Sequence, residues 1–291
     1  MEPIITIVTS GKYEFQIIDN TIIFRDEIYS RNFKIGGKIN DCVNISIKYQ
    51  NNIPIYASIP YAMYDSDCAL NISLEHGPGT ILMIKTLLKH IKKELPTIDV
   101  IHFEDKSNID CANNEEKDKK SKTIKKGTHV FPIPLYFFSI AFNGVTWYEK
   151  HFNAIQTDPI KHEKYREKID LLLNSEEYKS NISFENFYKA LTIPVKIIEE
   201  LETYYNNAKT IGKFFQSIPK NDRCRLTRDW IQSFMQTELK NLFSNTDWVI
   251  PLPVIEYVRG GKGQTQKYYF PKGKISYCYT KKNLGVNPED I

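Results

Sequence analysis

Along the first 75 residues, apolar and polar side chains alternate. Val43, Ile45, Ile47 and Tyr49 are separated by Asn44, Ser46 and Lys48, and Ile53, Ile55, Ala57 and Ile59 follow beyond Asn51-Asn52. Alternation places every second side chain on one face, so this stretch predicts a hairpin of half-buried strands. "ITIVT" predicts a shorter strand, and "KYEFQIIDNTIIFRD" two strands around a turn at Asp19-Asn20. Leu70, Ile72 and Leu74 continue the alternation as a further strand, which ends at Gly77-Pro78-Gly79. Ile81, Ile84, Leu88, Ile91 and Leu95 then recur at helical spacing until Pro96 stops the helix. "IDVIHF" supplies the next strand.

Beyond it, "EDKSNIDCANNEEKDKKSKTIKKGTH" holds almost no large apolar side chain, which predicts a mobile, lysine-rich insertion over about residues 108–127. Apolar character returns in "LYFFSIAFNGVTWYEKHFNAI", which reads as two short helices broken near Asn143-Gly144. From about residue 160 helical patterns dominate, and a Gly-rich hairpin around "RGGKGQTQKYYF" closes the chain. The pattern therefore predicts an α+β protein: residues 1–158 with a mixed, mainly antiparallel sheet and flanking helices, then a mostly helical extension over 159–291.

Composition narrows the choice. With 291 residues, 41% apolar and 25% charged, the chain is globular in character. A net charge of +4 is small for this length, so nucleic acid is not an expected partner. Five scattered cysteines, Cys42, Cys68, Cys111, Cys224 and Cys278, lack metal-site spacing and read as free thiols in a reducing compartment. No leader pattern and no long apolar run is evident, so the expectation is a cytoplasmic protein with no membrane partner. No metalloprotease, phosphate-loop or Ser/His/Asp pattern appears.

A strand, a glycine turn, a long helix, a strand and then a helix carrying "TWYEKHF" is an order that resembles the GNAT family of acyl-CoA N-acyltransferases. It is also similar to GNAT-like proteins of large DNA viruses. The resemblance covers about residues 40–155. It implies a GNAT-like fold, acetyl-CoA as co-substrate and an amine as acceptor. Gly77-x-Gly79 with Thr80 and Ile81 falls on the family's pyrophosphate turn, with Leu74 and His76 beside it; unsatisfied amides at a helix start suit an anion. Tyr148 falls on the tyrosine that protonates the departing thiolate, a general-acid role. Glu104, after the strand "IDVIHF", is the candidate base, with Asp105 beside it and Glu75 as another carboxylate. In this scheme the amine attacks a thioester held along splayed strands near Leu74.

The chain also departs from the family pattern. Leu74 replaces a Gln or Arg, Pro78 brings no N–H to the turn, and residues 27–40 are too few for the usual helix pair between the first strands. A sharp strand–helix corner explains the glycines equally well, and core packing explains Tyr148. Two functions stay open: acyl transfer to an amine, and a non-catalytic scaffold derived from such a fold.

Overall fold

The computed structural model describes residues 2–110, 132–187, 195–243, 246–260 and 263–269. Strands β1 (Ile4–Ser10), β2 (Tyr13–Phe24), β3 (Glu27–Gly36), β4 (Asp41–Gln50) and β5 (Ile53–Ala62) form an antiparallel meander. Arg25-Asp26 and Asn51-Asn52 make two of its turns, all four residues at positive φ. Asn and Asp tolerate that left-handed backbone better than most residues do. Asp19-Asn20, expected as a turn, instead lies inside β2. Asp19 is buried there because Arg31 of β3 meets it, Nε to Oδ1 at 2.9 Å. A paired carboxylate can occupy a strand interior that an unpaired one would avoid.

The inward side chains Phe15, Ile17, Phe33, Ile35, Val43, Ile45 and Ile47 are fully buried. They share a core with Met83, Ile84, Leu87, Leu88 and Ile91 of α1 (Pro78–Glu94). The expected strand at Leu70–Leu74 is absent: residues 63–77 form a loop. Its backbone is tied down without strand pairing, Leu70 N–H to the Glu14 carbonyl at 2.8 Å and Leu74 N–H to the Ser66 carbonyl at 2.7 Å. A disulfide between Cys42 of β4 and Cys68 fastens the loop to the sheet. The reading of all five cysteines as free thiols is therefore wrong for these two, and it fails for Cys224 as well, which is also disulfide-bonded. Scattered spacing concealed a pair that the fold brings together.

After α1 the chain enters β6 (Val100–Phe103), which lies parallel to β5. β7 (Asn108–Asp110) pairs antiparallel with β8 (Pro132–Pro134), so the expected insertion begins in a short ribbon; the rest of it lies outside the described residues. The two expected short helices are α2 (Leu135–Asn143) and α3 (Trp147–Phe152), separated by Gly144 at φ 72°. Thr146 and Glu149 form a reciprocal capping box that starts α3.

Next come β9 (Ile155–Gln156), α4 (Pro159–Asn174), α5 (Glu176–Ser180), a 3-10 turn (Phe184–Phe187), α6 (Val195–Asn207), α7 (Ile211–Ser217) and α8 (Arg223–Phe243). Their centre is aromatic: Trp230 stacks on Phe184 and Phe234 with ring centroids 5.6 and 4.9 Å away. β10 (Trp248–Pro251) then runs antiparallel to β6 inside the first sheet, with β9 at its outer side. The sheet order is β1-β2-β3-β4-β5-β6-β10-β9. The segment expected as an extension thus contributes an interior strand, and one hydrophobic core runs through both parts. β11 (Val254–Gly260) and β12 (Gly263–Tyr269) form the expected closing hairpin. The fold is α+β with a mostly antiparallel sheet, and among the described residues no helix is long and apolar enough to cross a membrane.

Candidate functional site

Between β5 and β6 a single pair is in register, Ser58 with His102. The cause is visible on β5. Asn44 pairs with Tyr61 and Ser46 with Ser58, so Ile59 and Pro60 together face Ile45 alone, which is a bulge. A bulge bends its strand, and Pro60 has no N–H to offer a neighbour. The two strands part, and a cleft of about 690 Å³ opens between them. β5 lines it with Tyr56, Ser58, Ile59, Pro60, Tyr61 and Ala62. His102, Phe103, Glu104, Lys106 and Ser107 line the other side, joined by Tyr148 of α3 and by Thr246 and Asp247 ahead of β10.

Consecutive strand residues point to opposite faces of a sheet, so His102 and Phe103 look opposite ways. On one face the His102 ring stacks on Tyr56, centroids 4.6 Å apart, and its Nδ1 lies 2.7 Å from Asp247 Oδ2. On the other, Phe103 packs against Tyr148 at 4.5 Å. The cleft therefore has a His–Asp pair toward one face and a tyrosine toward the other.

Tyr148 is buried, with its hydroxyl 3.4 Å from Ser107 Oγ. Burial, together with the nearby Asp105 carboxyl, pushes its pKa up to about 12, so the phenol keeps its proton at neutral pH. Asp105 accepts the Ser107 N–H at 3.2 Å through Oδ1, while Oδ2 is buried without a hydrogen-bond partner. Burial lifts its pKa to about 6. Of the two adjacent carboxylates, Glu104 was the one the sequence favoured as base. It lines the cleft but is exposed and ion-paired to Lys106. Asp105 is the buried, perturbed one.

The glycine turn is explained residue by residue. Gly77 sits at φ 82° with open space where a Cβ would be, so its lack of a side chain serves the backbone conformation. Gly79 serves packing: a Cβ there would lie 2.8 Å from Cδ1 of buried Leu74. The Gly79 amide donates to the Glu75 carbonyl at 3.0 Å, and the Ile81 amide to the Gly77 carbonyl at 2.9 Å. His76 meets Tyr64 edge-on at 4.5 Å, and Thr80 Oγ1 is buried without a partner. None of Leu74, His76, Gly77, Gly79, Thr80 and Ile81 lines the cleft.

Of the sequence-derived residues, the cleft brings Tyr148 and Glu104 together. Sequence reasoning missed His102 and Asp247, which are 145 positions apart. The only trace of them is a polar residue within one apolar run, "VIHF", and another just ahead of a second, "WVIP". Among the described residues no group of three or more His, Cys, Asp or Glu gathers to hold a metal ion. Comparison of the chain with protein-family models, with curated proteins and with solved structures finds no match.

Proposed function

We propose that the cleft between β5 and β6 is an acyl-transfer site that takes acetyl-CoA and an amine. The observation that carries this reading is the parting of two parallel strands beside a tyrosine that holds its proton. β5, α1, β6 and α3 also come in the GNAT-like order that the sequence resembles, with a loop in place of the strand expected at the glycine turn and with β7, β8 and α2 ahead of α3. In this reaction the amine nitrogen attacks the thioester carbonyl, the C–S bond breaks and sulfur leaves as a thiolate. A phenol near pKa 12 is a weaker acid than an ordinary thiol at about 8.5. Tyr148 therefore acts by donating a hydrogen bond to sulfur as negative charge develops there, rather than by surrendering its proton outright.

A second reading, a scaffold that binds without turnover, has its own support. The turn that would grip the coenzyme pyrophosphate has already committed the Gly79 amide to Glu75, and Pro78 contributes no donor. The Thr80 hydroxyl beside it lacks a partner but is buried.

The two readings separate in one assay: release of coenzyme A thiol from acetyl-CoA in the presence of a set of primary amines. Acyl transfer predicts amine-dependent release that falls on the order of 10²-fold in Tyr148→Phe, the effect of losing one preorganised hydrogen-bond donor. Acetyl-CoA binding with no release by any amine would support the scaffold.

A further inference from the structure

We propose that His102, oriented by Asp247, is the proton acceptor for the attacking amine, at the face of the cleft opposite Tyr148; this rests on the acyl-transfer reading above. An ionised carboxylate can only accept hydrogen bonds. With Asp247 Oδ2 at 2.7 Å, Nδ1 carries the proton of the neutral imidazole, and Nε2 is left with its lone pair. The Tyr56 ring, inclined by 29° to the imidazole, covers one of its faces and limits its rotation. The pairing depends on the fold: Asp247 directly precedes β10, whose Trp248 and Val249 lie opposite Phe103 and His102.

The alternation of β6 then decides the division of labour. Phe103 turns toward Tyr148 and His102 toward Tyr56, so the two proton-handling groups approach the cleft from opposite faces of the sheet. That separation puts an acceptor on the side of the attacking nitrogen and a donor on the side of the departing sulfur. The amine nitrogen bonds to the carbonyl carbon, and Nε2 takes a proton from the resulting ammonium. The C–S electron pair departs with sulfur on the other side, and a proton reaches the thiolate through solvent. One thioester and one amine become one amide and one thiol. The titratable and charged side chains that line the cleft with His102 are Tyr56 and Tyr61 from β5, Tyr148 from α3, Asp247 ahead of β10, and Glu104 with Lys106 after β6, and Lys48 of β4 lies 5.8 Å over the Tyr56 ring.

His102 is the catalytic residue in this proposal and Asp247 the positioning residue. The test uses the full chain with acetyl-CoA and primary amines. His102→Gln is expected to lower amine-dependent thiol release on the order of 10²-fold with acetyl-CoA affinity unchanged, and added imidazole should restore part of the rate in His102→Gly. Asp247→Asn should lower kcat with the KM for acetyl-CoA unchanged, and the nitrogen-15 spectrum should lose the preference for a proton on Nδ1, because the ring loses the acceptor that fixes its tautomer. A measurement on the wild type needs no variant to fold: nitrogen-15 NMR of the neutral His102 ring should show the proton on Nδ1. Undiminished release by His102→Gln, or a proton found on Nε2, overturns the dyad and leaves acyl transfer standing. A wild type that releases no thiol with any amine overturns the acyl-transfer reading, and this proposal with it.

Discussion

Asp105 and Tyr148 are coupled through burial: the carboxyl that raises the phenol's pKa is itself buried, with one oxygen lacking any hydrogen-bond partner. Burial shifts both toward their neutral forms: Tyr148 keeps its proton at neutral pH, while Asp105 keeps its own only up to about pH 6. Ser107 stands between them: its N–H donates to Asp105, and its hydroxyl lies 3.4 Å from that of Tyr148.

This arrangement fixes a pH dependence. The Asp105 pKa rises from 3.8 in the unfolded chain to about 6 in the fold. A raised acid pKa favours the folded state while both forms are protonated, below about pH 4. That contribution is lost as pH climbs through about 6, where the folded state must ionise a buried group. The full loss is about 3 kcal/mol. Asp105→Asn removes it, so between about pH 4 and pH 7 the stability difference should move in favour of the variant by about that amount. Urea melts at several pH values would show it, and a difference independent of pH would contradict the buried carboxyl.

The Cys42–Cys68 bond makes a separate prediction. It closes a span of 26 residues and fastens the loop that leads into α1. Cross-links of such length stabilise by about 2–4 kcal/mol, chiefly by restricting the unfolded chain. Reduction, or Cys42→Ser with Cys68→Ser, should lower the melting temperature by several degrees while leaving the sheet's circular dichroism in place. Equal melting with and without reductant would mean that these thiols are unpaired in solution.

How much of this was legible beforehand depends on the reach of each signal. The β4–β5 hairpin, α1 and the break between α2 and α3 are local, so alternation, helical spacing and Gly144 announced them. The turn at Arg25-Asp26 was missed because Asp19-Asn20 looked more like one, and only Arg31 across the strand explains why it is not. Leu70, Ile72 and Leu74 alternate like a strand, yet the loop is bonded to Glu14 and Ser66 instead. β10 follows a long helical stretch, and nothing local marks it as a partner of β6. For the same reason the His102–Asp247 contact could not be read: its two halves belong to segments that only the sheet joins. Tyr148 was found through resemblance, whereas the buried state of Asp105 against the exposure of Glu104 is a property of packing alone.

The glycine turn separates two kinds of glycine. At Gly79 an added methyl meets Leu74, and overpacking of a filled site costs about 1–3 kcal/mol. Gly77→Ala has room, but φ 82° with ψ −85° lies outside the left-handed helical region, a strain of about 1–3 kcal/mol. Denaturant melts of the two alanine variants should therefore each show a loss of about that size. An unchanged Gly79→Ala would mean that Leu74 yields readily, and an unchanged Gly77→Ala that the corner relaxes its backbone.

Acyl-CoA binding between the parted strands is tested most directly by thermal unfolding of the full chain in a series of acetyl-CoA and free coenzyme A concentrations. A ligand that binds only the folded state adds about 2.7 kcal/mol at a hundred times its dissociation constant. The melting temperature should rise steadily with acetyl-CoA, and the rise should be lost when Ser58→Trp fills the cleft. No rise with either ligand up to millimolar concentration, or an equal rise in Ser58→Trp, would contradict binding there.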